Sequence, residues 1–128
     1  MVDPVAEWIE KAEEDYRVAL ALRRLRANPA HSSTCFHAQQ CVEKYLKGYL
    51  VHCKAEIEKT HNLVKILNAC IELNTEFSVL REEEIEILTP YATVYRYPDD
   101  FYMPIFEEAQ SAINKAELVK EFVKNQIN

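Results

Sequence analysis

The chain has 128 residues, 48% of them hydrophobic and 28% charged, with a formal net charge of −6. That length suits one domain, residues 1–128, which buries about two-thirds of its unfolded surface. No apolar run reaches the ~20 residues of a membrane span and the N terminus is acidic, so the sequence reads as a cytoplasmic protein without membrane contact.

The negative charge disfavours a sequence-blind wrap around nucleic acid, which needs a basic surface, but leaves room for a small basic patch. A single glycine, Gly48, disfavours both hairpin-linked strands and glycine-rich phosphate loops. The expectation is an all-α fold. Cys35, Cys41, Cys53 and Cys70 form no CxxC pair and read as free core thiols.

In chain order, Asp3-Pro4 starts a first helix, with Asp as cap and Pro in the first turn. Val5, Trp8, Ile9, Ala12, Tyr16, Ala19 and Leu20 recur at helical spacing as its core stripe, with Asp15 among the outward or flanking charges. The helix runs to about Leu25, with Arg23, Arg24 and Arg26 at its negative dipole end, and Asn28-Pro29 breaks it.

Ser32 and Ser33 are the candidate caps of a second helix that reaches about Cys53. Ala38, Val42, Tyr45, Leu46, Tyr49 and Cys53 form its apolar face, bordered by a dense set of polar residues. Gly48 inside it costs roughly 1 kcal/mol against Ala, and it shares a strip with His37, Cys41 and Lys44. A missing side chain there suits a close approach, most simply an ordinary helix crossing.

Thr60 is the expected cap of a third helix with the stripe Leu63, Ile66, Leu67, Cys70 and Ile71. A fourth runs from about Phe77 through Leu80, Ile85 and Leu88, with Glu82, Glu83 and Glu84 outside, until Thr89-Pro90 kinks or stops it. Tyr91–Tyr95 resumes the helix, and Arg96–Asp100 is a loop. The last helix starts near Pro104, with Ile105, Ala109, Ala112, Ile113, Ala116, Val119 and Val123 inward. About five helices joined by short loops make an antiparallel up-and-down bundle.

The candidate site residues are Gln40, Glu43, Lys47, His61 and Arg96. Gln39, Gln40, Glu43 and Lys47 lie on neighbouring rows of one side of the second helix. Glu43 and Lys47 can form an i,i+4 surface ion pair worth roughly 0.3 kcal/mol, or the group can read a base edge or clamp a loop. His61, in the first turn of its helix, can cap locally or touch a phosphate. Arg96, among Tyr91, Tyr95 and Tyr97, can stack on a base, fork onto a phosphate, or pair with Asp99, Asp100 or Glu43. His37 and Cys41 lack a third ligand, so no metal or cofactor set is assigned.

Phe36-His37-Ala38-Gln39-Gln40-Cys41-Val42-Glu43-Lys44-Tyr45-Leu46-Lys47, followed by Thr60-His61-Asn62-Leu63, Tyr91-Ala92 and Arg96-Tyr97-Pro98-Asp99, resembles the HEPN domain. Trp8-Ile9-Glu10-Lys11-Ala12 fits the opening of the same pattern. The resemblance implies a prokaryotic helical bundle, frequently a homodimer, paired with a minimal nucleotidyltransferase in toxin–antitoxin-like systems. It also implies a nucleotide or RNA ligand. Many such proteins are metal-independent ribonucleases with an Arg, four to six intervening residues and a His. Here no histidine follows Arg81 or Arg96, and Asn28-Pro29 interrupts the Arg26–His31 pair that has the spacing. The reading is therefore a non-catalytic subunit that binds a nucleotide or a protein partner. A ribonuclease toxin with a different site and a dimerising scaffold are the alternatives.

Overall fold

Charge and cap placement define the first helix as anticipated. In the computed structural model, which describes residues 3–94 and 103–128, α1 spans Pro4–Arg23. The Asp3 carboxylate accepts hydrogen bonds from the Val5 and Ala6 amides at 3.0 and 3.3 Å. The helix ends two residues before Leu25.

Helix α2 spans His31–His52 and is the element about which the others pack: α1 on one side and α6 (Phe106–Ile127) on another bury most of its length. Its expected serine caps are corrected. Ala30 is the N-cap and no side chain caps the helix, while Ser32 and Ser33 already lie inside its first turn. Gly48 sits at the α1 crossing: a Cβ there would lie 3.2 Å from Trp8 Cβ and 3.4 Å from Ile9 Cδ1. The small residue thus serves a helix crossing.

Helix α3 (Leu63–Leu73) is capped by Asn62, whose Oδ1 accepts from the Val64 amide at 2.9 Å. Thr60, expected as that cap, acts one step earlier and accepts from the Asn62 amide at 3.1 Å.

The anticipated fourth helix is broken. A 3-10 turn at Thr75–Phe77 leads into α4 (Ser78–Glu82), and a second 3-10 turn follows at Ile85–Leu88. Between them Glu84 adopts φ 59°, in the left-handed region. The break has a packing cause. Leu80 and Ile85 are both buried, yet five helical residues would set them about 140° apart. One left-handed residue turns Ile85 and Leu88 back to the core. Arg81 closes the bend, pairing with Glu86 at 3.0 Å.

Tyr91–Val94 forms the short α5, so the helix resumes after Pro90 as expected. In α6, Ala109, Ala112, Ile113, Ala116, Val119 and Val123 face the core, but Ile105 does not: it precedes the helix as N-cap and is 57% exposed. Tyr49 packs tilted on Phe77 and Phe77 meets Phe122 edge-on, at ring-centroid distances of 4.3 and 4.8 Å, tying α2, the first 3-10 turn and α6 together. The described residues contain no strand, and the bundle is all-helical as anticipated.

Candidate functional site

Burial sets the chemistry of the polar side of α2. Gln39 is wholly buried, and the Glu43 and Lys47 side chains are 5% and 8% exposed. A surface ion pair is thereby replaced by a buried one, Lys47 Nζ to Glu43 Oε2 at 2.9 Å. Charges removed from water need several partners each to be tolerated, and both have them.

Glu43 Oε1 accepts from Gln39 Nε2 at 3.1 Å and meets His61 Nδ1 at 2.9 Å. Lys47 also donates to the Thr60 carbonyl at 2.9 Å, and Gln39 to the His61 carbonyl at 3.4 Å. Three side chains of α2, Gln39, Glu43 and Lys47, therefore hold the segment that leads into α3. Gln40 stands one bond further out: its Nε2 donates to Gln39 Oε1 at 2.7 Å and orients that amide.

Burial pushes the Glu43 carboxyl up, but the hydrogen bonds from Lys47, His61 and Gln39 outweigh it and hold the group below the usual carboxylate range. Glu43 is thus a carboxylate at neutral pH and can only accept. His61 Nδ1 must then carry the proton in that bond, which leaves Nε2 of a neutral imidazole as an acceptor. Nε2 has no hydrogen bond among the described residues, and the ring is 57% exposed. Beside this network a cavity of about 390 Å³ opens between α2 and α3, lined by Lys47, Ile57, Thr60, Lys65 and Ile66.

Of the five sequence candidates, Gln40, Glu43, Lys47 and His61 come together, whereas Arg96 lies outside the described residues. Gln39 is the member that site selection from sequence left out, although its adjacency to Gln40 was the available signal. A second cluster on α2 was also missed. Asp15, anticipated as outward or flanking, is buried and meets Lys44 Nζ at 2.6 Å and His37 Nδ1 at 2.8 Å. These contacts commit His37 to the α1–α2 joint.

Comparison with known proteins adds three findings. A family model described as HEPN domain matches residues 5–126. A Methanocaldococcus jannaschii protein named "Putative toxin MJ1304" is 28% identical, over 92% of this chain and 84% of that protein. The crystal structure of ST0689, described as an archaeal HEPN homologue, superposes with a TM-score of 0.69 at 25% identity, covering 99% of this chain and 100% of the other. That of TT1696 from Thermus thermophilus gives 0.75 at 23% identity, over 97% and 98%, a likeness of fold.

Proposed function

The chain belongs to the HEPN-domain family, and from that premise we propose that it is a toxin-like, non-catalytic subunit that binds a nucleotide at the face presented by His61. It works as a homodimer with a minimal nucleotidyltransferase in a toxin–antitoxin-like pair. The relative named as a toxin supports the first part of this reading. One observation carries the binding role: a buried carboxylate fixes Nδ1 of an exposed imidazole, leaving Nε2 to accept from an N–H donor on a base edge.

Calorimetric titration with ATP and GTP tests the reading, with the protein alone and with a minimal nucleotidyltransferase added. His61→Ala is expected to weaken binding by up to about tenfold, the worth of one neutral hydrogen bond. Arg96→Ala tests the remaining sequence candidate. Absence of heat with either nucleotide under both conditions refutes the binding role.

The same dyad favours a second reading, RNA cleavage. His61 Nε2 would take the 2′-hydroxyl proton as that oxygen attacks the adjacent phosphorus and the 5′-oxygen leaves. RNA that survives long incubation with the protein in EDTA rules this out.

A further inference from the structure

The strip of α2 that carries His37, Cys41, Lys44 and Gly48 lies on the side of the helix opposite Gln39, Glu43 and Lys47, along the α1 crossing. Glu7, Trp8, Lys11 and Lys44 line a cavity of about 280 Å³ there. Trp8 is the only tryptophan of the chain and is half-buried. Gly48 seats it, since a Cβ at that position would press on Trp8 Cβ at 3.2 Å.

Two independent features turn this groove toward a ligand. The first is Lys44, a cation held in place from behind. Its Nζ donates to Oδ2 of the buried Asp15 at 2.6 Å, while His37 Nδ1 meets Oδ1 at 2.8 Å. An ammonium has three donors, so two remain for a ligand. The second is the pair that flanks Trp8. Glu7 and Lys11 stand four apart in the order that favours an ion pair, yet both are exposed and neither has an ion pair among the described residues. The groove thus presents one flat apolar surface, two ammonium groups and one carboxylate. A simple anion would meet the Glu7 carboxylate, and a simple cation would meet the lysines. A zwitterion sets an opposite charge against each of the three, and an apolar side chain on it covers Trp8.

We propose that the α1–α2 groove binds a free α-amino acid with an aromatic side chain. Lys11 and Lys44 take its carboxylate, Glu7 takes its ammonium, and its ring packs on Trp8. The site is separate from the His61 face and does not depend on the reading given for it.

Because Trp8 is the only tryptophan, its fluorescence reports on this groove alone. The test is a fluorescence titration of the full chain with L-phenylalanine, beside 3-phenylpropionate, which lacks the ammonium, and phenethylamine, which lacks the carboxylate. Phenylalanine is expected to change the emission saturably, and each truncated probe should bind more weakly. Glu7→Gln and Lys11→Met should each weaken phenylalanine by about fivefold, the upper worth of an ion pair at an exposed rim. Glu7→Gln should not weaken 3-phenylpropionate, and Lys11→Met should not weaken phenethylamine, since each probe lacks the group that the substitution deprives of its partner. Those retained affinities also show that the variants are folded. The proposal fails if phenylalanine gives no saturable change, or if either truncated probe binds as tightly as phenylalanine. It fails equally if either variant keeps the parent affinity for phenylalanine.

Discussion

Glu43 and His61 stand 2.9 Å apart with opposite exposure: the carboxylate side chain is 5% exposed and the imidazole 57%. The buried member faces Lys47, Gln39 and the bundle, and the exposed member faces solvent. One residue therefore anchors and the other presents, so substitution should separate stability from binding.

Glu43→Ala should destabilise the fold by about 3–5 kcal/mol, the usual result of leaving one charge of a buried pair alone. His61→Ala should cost no more than about 1 kcal/mol, since an exposed partner adds little. Urea unfolding of the two variants measures both. Equal losses would mean that His61 is as structural as Glu43.

Acid should weaken the protein through carboxylates held low. Burial pushes Glu13 up, but Lys124, Tyr45 and Lys120 outweigh it and bring its pKa from 4.5 to about 2. Glu43 is lowered as well. A depressed folded pKa gives stability that is present above the unfolded value and lost as pH falls toward the folded one. Urea midpoints should therefore hold steady above about pH 5 and drop between about pH 4.5 and 2. Glu13→Gln should flatten that drop.

Position 48 admits little more than hydrogen. Gly48→Ala gains up to about 1 kcal/mol of helix propensity, but its Cβ would press on Trp8 Cβ at 3.2 Å, so the net change should be small. Gly48→Leu has no such balance and should cost about 1–3 kcal/mol by forcing α1 away. Thermal melts of both variants check the ordering.

Thiol labelling should be sharply selective. Burial, the largest cause, pushes Cys35 and Cys70 up to about 12 and raises Cys41 as well. A thiol, unlike a thiolate, is a poor nucleophile. At pH 8 Ellman's reagent should find only the half-buried Cys53 promptly, and the other three should react once urea unfolds the chain.

Much of the bundle was readable because helix signals are local. Asp3-Pro4 specified the start of α1, and the three- and four-residue spacing of Ala38, Val42, Tyr45 and Leu46 specified the buried face of α2. The run Glu82-Glu83-Glu84 misled for the same reason. Its propensity is helical and its exposure was correct, but the left-handed turn at Glu84 answers to where Leu80 and Ile85 must be buried. Ser32 and Ser33 likewise had the right chemistry for caps, yet the helix begins one residue before them.

By itself the sequence determined an all-helical chain organised on α2, and it placed Gln40, Glu43 and Lys47 on one side of that helix. Tertiary structure alone decided what those side chains are. Glu43 and Lys47 became a buried pair because the Thr60–His61 segment folds over them and supplies their remaining hydrogen-bond partners. Asp15 became internal because His37 and Lys44 meet it across the α1–α2 joint. Arg26 and His31, separated in sequence by a proline, came to line one cavity because the elbow brings α1 back against α2. Periodicity is a property of neighbours along the chain, whereas burial and charge partners depend on segments distant in sequence.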